Sequence, residues 1–152
     1  FIYQIRELQN GGEFVVLLFL AAWGNDTLAY CTGMLIGKHK MSPILSPKKS
    51  IEGLVGGIVG AAILGALYGL YLNTYIRFSF NPVTMFPIVC GLSGAVSVIG
   101  DLAASAIKRD SGIKDYGTLI PGHGGILDRF DSIIFIAPVI YYLTVMISGG
   151  AI

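Results

Sequence analysis

The chain has 152 residues, of which 54% are hydrophobic and only 12% are charged, and its mean hydropathy is +0.73. Because soluble domains carry about 25% charged residues, this composition excludes an ordinary soluble domain. The net charge of +1 provides no overall field for nucleic acid, so no nucleic-acid partner is expected. Cys31 and Cys90 lie in apolar segments without a CxxC motif, which indicates packed thiols.

Residues 1–12 form a mixed lead, which we interpret as the end of an interfacial helix followed by a turn at Asn10-Gly11-Gly12. The chain starts at Phe1 and shows no basic segment followed by an apolar segment and a cleavage site. We therefore expect residues 1–152 to be the C-terminal membrane domain of a longer chain.

Four apolar stretches follow the lead. Each has about 18 to 25 residues, enough to cross a hydrocarbon core of roughly 30 Å as a helix. The sequence therefore predicts an all-α, polytopic helical membrane protein with about four transmembrane helices and two polar loops. The predicted spans are residues 13–37, 54–72, 83–107 and 130–148, and the polar loops are residues 38–53 and 108–129.

The basic residues predict how these helices are oriented. Eight of the ten Lys and Arg residues lie in the two polar loops, which four crossings place on the same side of the bilayer. Positive charge concentrates in cytoplasmic loops, so we expect an integral protein of a prokaryotic inner (cytoplasmic) membrane with both loops facing the cytoplasm. The lysines of the first loop are explained either by this topology or by attraction to anionic headgroups.

The second span is rich in glycine, and several of these glycines are four residues apart. Small residues at this spacing allow transmembrane helices to approach closely. Either a homodimer interface or packing within one subunit would use them. The pairs are Gly53 and Gly57, Gly56 and Gly60, and Gly65 and Gly69.

Several carboxylates are predicted within the membrane or just beneath one face. Asp26 lies in the first span, where it either hydrogen-bonds to neighbouring helices or lines a polar cavity open to the cytoplasm. Asp101 precedes Lys108 by seven residues, about 10 Å of helix, so it lies below the cytoplasmic surface. Asp128 and Asp131 are three apart and would share a helix face, although Asp128 also suits the positive end of a helix.

The segment 105–131 concentrates charge, with eight formally charged residues. Carboxylates such as Asp101 and Asp128 are ligands that Mg²⁺ prefers, while clustered Lys and Arg side chains suit phosphates. Acids that hold a metal, interleaved with bases that bind phosphate, predict phosphoryl or nucleotidyl transfer. The cations of this segment are Lys108, Arg109, Lys114 and Arg129.

A glycine-rich run from Pro121 to Gly125 lies in the same segment. Glycines let backbone N–H groups approach an oxyanion closely, although such a run is also typical of an ordinary turn. His123 is a candidate for phosphate binding or proton transfer, or it caps the loop. His39, between two lysines, is interpreted as a solvated loop residue.

The chain resembles the phosphatidate cytidylyltransferases, also called CDP-diacylglycerol synthases, at every fixed position of their signature. Upstream segments are similar to the family as well, with Ser50 where relatives often carry threonine. The additional N-terminal spans typical of the family lie outside these residues. The signature reads Ser105-x2-Lys108-Arg109-x4-Lys114-Asp115, then Pro121-x-His123-Gly124-Gly125-x2-Asp128-Arg129-x-Asp131, and the upstream segments are Asn25-Asp26-Thr27, Gly37-Lys38 and Ser46 to Gly53.

This resemblance implies a reaction in which CTP and phosphatidic acid give CDP-diacylglycerol and pyrophosphate. It also implies Mg²⁺ bound by Asp101 and Asp128, a second cation at the same site, and a homodimer in the lipid bilayer. The catalytic candidates are then Asp101, Asp128, Lys108, Arg109, His123 and Asp131. The substrate-binding candidates are Ser46, Lys48, Lys49, Ser50, Lys114, Arg129, Gly124, Gly125 and Asp26.

Two other functions compete with this interpretation. Intramembrane acids such as Asp26 and Asp101 also suit a cation- or proton-coupled transporter, although no matching acids lie on the opposite face. A phosphatidyltransferase that consumes CDP-diacylglycerol would carry an Asp-Gly-x2-Ala-Arg motif and two acids four residues apart. The chain lacks that motif, and Asp128 and Asp131 are three residues apart.

Overall fold

The computed structural model describes residues 1–42, 46–113 and 127–148, without the side chains of residues 42, 46–48 and 127–129. Within these ranges the chain is a polytopic helical membrane protein, in which four helices are long and apolar enough to cross a bilayer. The elements are α1 (Ile2–Glu7), α2 (Gly11–Ile36), β1 (Lys40–Ser42), β2 (Ser46–Ser50), α3 (Ile51–Asn73), α4 (Pro82–Asp110) and α5 (Leu127–Ile147).

The short helix α1 lies against the bundle and is joined to α2 by a tight turn. Ile5 and Leu8 are buried in the core, and Asn10 adopts the left-handed conformation at φ 60°. A Cβ on Gly11 would lie 2.5 Å from the Ile5 carbonyl oxygen, so this approach requires glycine. Of the predicted turn Asn10-Gly11-Gly12, only Asn10 lies outside a helix, since Gly11 and Gly12 already belong to α2.

The four long helices extend past the apolar stretches that predicted them. α4 continues through Lys108 and Arg109, and α3 begins at Ile51 because the Ser50 hydroxyl accepts a hydrogen bond from the Gly53 N–H at 3.1 Å. Hydropathy marks where a helix is apolar, whereas capping and backbone hydrogen bonds determine where it ends. Large apolar side chains point outward along the helices, as expected for contact with lipid; examples are Leu35, Val59, Ile99 and Met146.

The glycines of α3 are used for packing within the subunit. A Cβ on Gly57 would lie 2.8 Å from both the Ala29 Cβ and the Asn25 Oδ1 of α2, and a Cβ on Gly65 would lie 2.7 Å from the Phe86 carbonyl oxygen of α4. The N-terminal half of α3 places its glycines against α2, and the C-terminal half places them against α4. Both neighbouring helices can therefore approach α3 closely. Gly53, Gly56 and Gly60 also face α2, and Gly69 also faces α4.

The two ends of the bundle differ in chemistry. At the end that carries the connection between α3 and α4, the Phe14, Phe78, Phe80 and Phe86 rings pack with centroids 5.2 to 6.5 Å apart. At the other end β1 and β2 form an antiparallel hairpin. The sequence predicts only a polar loop there, because a short segment rich in Lys, Ser and Pro lacks the apolar alternation of a strand.

Candidate functional site

A cavity of about 560 Å³ opens at the hairpin end of the bundle. Its polar lining comes from elements far apart in the sequence: α2 contributes Asp26, β2 contributes Lys49, α4 contributes Asp101, and α5 contributes Asp131 and Ser132. Three carboxylates and two lysine side chains, those of Lys49 and of Lys40 on β1, therefore line the same space. Asp26, which the sequence places either in packing contacts or in a polar cavity open to the cytoplasm, is among the residues that line this cavity.

The Lys49 ammonium forms an ion pair with the Asp101 carboxylate. Both side chains are partly buried, with 29% and 26% of their surfaces exposed. Burial lowers the pKa of Lys49 from its usual value, and the negative charges of Asp26 and Asp131 act in the opposite direction. Lys49 is thus held among carboxylates from three different helices.

Asp131 and Ser132 connect α5 to two other helices. The backbone N–H of Ser132 donates to Asp131 Oδ1 at 2.8 Å, which orients the carboxylate near the start of α5. The Lys108 ammonium lies 4.0 Å from Asp131 Oδ2, and the Ser132 hydroxyl donates to Asp26 Oδ2 at 3.4 Å. The predicted catalytic residues Lys108 and Asp131 are therefore adjacent. Asp26 likewise lies next to the start of α5.

Other predicted site residues lie elsewhere or serve the fold as well. Arg109 is exposed at the end of α4 and does not line the cavity. Ser50 lines the cavity, but its hydroxyl caps α3. The remaining candidates lie outside the described residues or have side chains that are not described; they are Ser46, Lys48, Lys114, His123, Gly124, Gly125, Asp128 and Arg129.

The structure also places residues near the site that the sequence did not single out. Ser132 could have been found as the hydroxyl that follows Asp131, but a serine alone carries no specific signal. His39, interpreted as solvated, is indeed exposed, yet its imidazole Nδ1 lies 2.6 Å from Glu52 Oε1. Glu52 was part of the family resemblance without an assigned role.

A buried polar junction lies beside the cavity. Asn25 lines the cavity, and its side chain fits against Gly94, whose added Cβ would lie 3.0 Å from Asn25 Oδ1. Among the described residues, the buried hydroxyls of Ser93 and Ser97 have no hydrogen-bond partner. Burying a polar group without a hydrogen bond costs free energy in an apolar interior. The presence of these side chains shows that the interior of the bundle beside the cavity is partly polar.

The donor chemistry of the cavity suits a hard divalent cation, since Asp26, Asp101 and Asp131 all supply carboxylate oxygens. Among the side chains that the structure describes, which exclude that of Asp128, no three acidic, histidine or cysteine side chains are grouped closely enough to hold a metal ion. Mg²⁺ is usually held by one or two carboxylates together with water and substrate phosphates, so the donor set of the cavity fits this ion. The second predicted ligand, Asp128, has a side chain outside this description.

Comparison with known proteins identifies the class to which this fold and cavity belong. The profile of the cytidylyltransferase family matches residues 1–147. The chain therefore belongs to the cytidylyltransferase family.

Individual relatives are named more specifically. The chain is 37% identical to the phosphatidate cytidylyltransferase of Staphylococcus saprophyticus over 147 residues, which is 97% of this chain and 55% of the relative. It is 40% identical to that of Staphylococcus aureus strain COL over 145 residues, 95% of this chain and 53% of the relative. The chain thus spans about half the length of the curated relatives it matches. These matches give the transporter alternative no support.

Proposed function

We propose that the protein to which this chain belongs is a phosphatidate cytidylyltransferase, which makes CDP-diacylglycerol and pyrophosphate from CTP and phosphatidic acid. The observation that carries this proposal is the cavity in which Lys49 meets Asp26, Asp101 and Asp131 at one end of four apolar helices. A site of mixed charge at the end of membrane helices suits a reaction between a lipid phosphate and a soluble nucleotide. Family membership and the names of the relatives support the same assignment.

The chemistry needs charge neutralisation and alignment more than it needs a general base. A phosphatidate oxygen attacks the α-phosphorus of CTP, a new P–O bond forms, and the bond to the β-phosphate oxygen breaks so that pyrophosphate leaves. Both reactants are anions and repel each other. Cationic side chains that neutralise the triphosphate, such as Lys49 and Lys108, would lower this barrier electrostatically.

Mg²⁺ belongs to the same proposal. Asp101 and Asp128 would hold the ion, and a second cation would bind beside it. Bound Mg²⁺ would supply positive charge against the phosphates. The ion pair between Lys49 and Asp101 would weaken when the nucleotide binds, because the triphosphate is a stronger anionic partner for the ammonium group.

The surroundings of the site complete the proposal. The cavity would face the cytoplasm, where CTP is available, and phosphatidate would reach it sideways between helices while its acyl chains stay in the bilayer. We also propose a homodimer. Because the glycines of α3 already pack against α2 and α4, its interface would use another surface.

One assay tests the proposal directly. The full-length protein, purified in detergent, is incubated with labelled CTP, phosphatidate and Mg²⁺, and the lipid fraction is scored for labelled CDP-diacylglycerol. We expect product only when phosphatidate is present, and its loss in Asp101→Asn and Asp128→Asn variants that remain folded. Absence of liponucleotide from the wild-type protein would contradict the proposed function, and near-normal turnover by either variant would remove that residue from the metal role.

A further inference from the structure

The carboxylate of Glu52, in the first turn of α3, binds the backbone of residues 38–39, which lead into β1 at the base of the hairpin. Glu52 Oε2 accepts from the Lys38 N–H at 3.1 Å and from the His39 N–H at 3.2 Å, and Glu52 Oε1 lies 3.3 Å from the same His39 nitrogen. The His39 imidazole adds a contact of 2.6 Å to Oε1. One side chain therefore satisfies two backbone donors and one ring nitrogen across 13 to 14 positions of sequence.

These contacts close the root of the hairpin from both strands. The Ile51 N–H donates to the His39 carbonyl oxygen at 2.9 Å, and Lys40 pairs with Ser50 in the β1–β2 register. Glu52 thus joins the chain that leaves α2 to the chain that enters α3. We call residues 38–39 and 51–52 the hairpin root.

The hairpin root has an energetic reason to depend on a carboxylate. Hydrogen bonds to an ionised acceptor are shorter and stronger than neutral ones, and a negative charge is stabilised in the first turn of a helix. The Glu52 side chain is only 23% exposed, whereas His39 is 75% exposed. Without Glu52, the Lys38 and His39 amides would lose the partner that the fold gives them.

The root lies next to the cation of the cavity. Lys49 is two residues before Ile51 on β2, and its ammonium reaches Asp101 on α4. β2 has five residues, and its sequence Ser-Pro-Lys-Lys-Ser offers little apolar surface for packing, so the contacts at its ends contribute to its position. We propose that Glu52 is a positioning residue, which fixes the hairpin root and thereby keeps Lys49 directed at Asp101 in the cavity. Its consequence for catalysis rests on the proposed function.

Hydrogen–deuterium exchange on the full-length protein in detergent tests the structural part without any substrate. We compare Glu52→Ala and Glu52→Gln with Glu7→Gln, a matched change of an exposed acid in α1. Glu52→Ala is expected to speed exchange about tenfold in residues 38–40 and 49–51. Glu52→Gln, which keeps one acceptor oxygen, is expected to have a smaller effect, and Glu7→Gln none.

Kinetics test the consequence for Lys49. Glu52→Ala should raise the apparent KM for CTP about tenfold while kcat changes much less, because a cation that is poorly placed weakens nucleotide binding. A general loss of folding would instead speed exchange in α5 as well. His39→Ala removes the ring contact but keeps both backbone donors, so it should reproduce only part of the effect.

The outcomes separate the two proposals. Unchanged exchange in residues 38–40 and 49–51 of both Glu52 variants would overturn the positioning role. Faster exchange with an unchanged KM would overturn it too, since Lys49 would then not depend on the root. A wild-type protein that makes no liponucleotide contradicts the proposed function, yet the exchange in residues 49–51 still decides whether Glu52 fixes this segment.

Discussion

At the scale of single residues, charge balance explains the site. The carboxylates of Asp26, Asp101 and Asp131 line one cavity, and the Lys49 ammonium lies among them. Like charges this close are unfavourable unless a cation compensates them. Lys49 was predicted as a substrate-binding residue from the resemblance, but its ion pair with Asp101 joins residues 52 positions apart, which only folding brings together.

Replacing Lys49 by alanine should therefore weaken nucleotide binding. We expect the apparent KM for CTP to rise at least about tenfold, which corresponds to roughly 1.4 kcal/mol of binding free energy. Steady-state kinetics of the full-length protein measure this change. Arg77→Ala is the control, because Arg77 is exposed near the opposite end of the bundle. An unchanged apparent affinity for CTP and for phosphatidate would contradict a substrate-binding role and leave Lys49 with a role only in membrane orientation.

At the scale of the elements, close helix contacts determine where the site residues stand. The glycine spacing of α3 predicted a close helix approach but left open whether a partner subunit or the same chain provides it. In the structure these glycines pack against α2 and α4 of the same chain. The hairpin could not be predicted, because no pattern within residues 38–50 indicates strands. Contacts from outside this segment, with Glu52 and with neighbouring helix ends, hold the hairpin in place.

A methyl group added to the α2–α3 contact should destabilise the bundle. A Cβ on Gly57 would lie 2.8 Å from the Ala29 Cβ and from Asn25 Oδ1, and overpacking of this kind costs about 1–3 kcal/mol. Gly57→Ala is expected to lower the thermal unfolding midpoint in detergent. In the matched control Gly91→Ala, the new Cβ would meet the Ala62 Cβ at an ordinary 3.7 Å, so no loss is expected. A Gly57→Ala protein as stable as wild type would disprove this packing role.

At the scale of the whole molecule, the bundle separates a charged end from an aromatic one. The ion pair of Lys49 with Asp101 and the approach of Lys108 to Asp131 lie at the hairpin end. The phenylalanine cluster lies at the end where α3 turns into α4. Basic residues therefore mark the same end that holds the cavity, and the positive-inside rule supports our proposal that this end faces the cytoplasm.

Cysteine labelling tests this orientation. Tyr75 and Ile113 are both exposed, at opposite ends of the bundle. In a full-length protein with Cys31 and Cys90 replaced by serine, a membrane-impermeant maleimide should label Tyr75→Cys in intact spheroplasts. Ile113→Cys should react only after permeabilisation, because the intact bilayer blocks the reagent. The reverse labelling pattern would place the cavity on the outer side and contradict the proposed orientation.

Four apolar stretches of sufficient length were enough to predict a helical chain that spans a membrane, because the length of an apolar stretch is a local property of the chain. The sequence by itself also determined the chemistry of Asp101, Lys108 and Asp131 through their side-chain types. The folded arrangement of the helices was needed to show which of these groups meet, that Glu52 contacts the hairpin root, and that the α3 glycines face inward. The physical reason is that such contacts form between distant segments and depend on how the helices rotate and cross, which no single segment encodes.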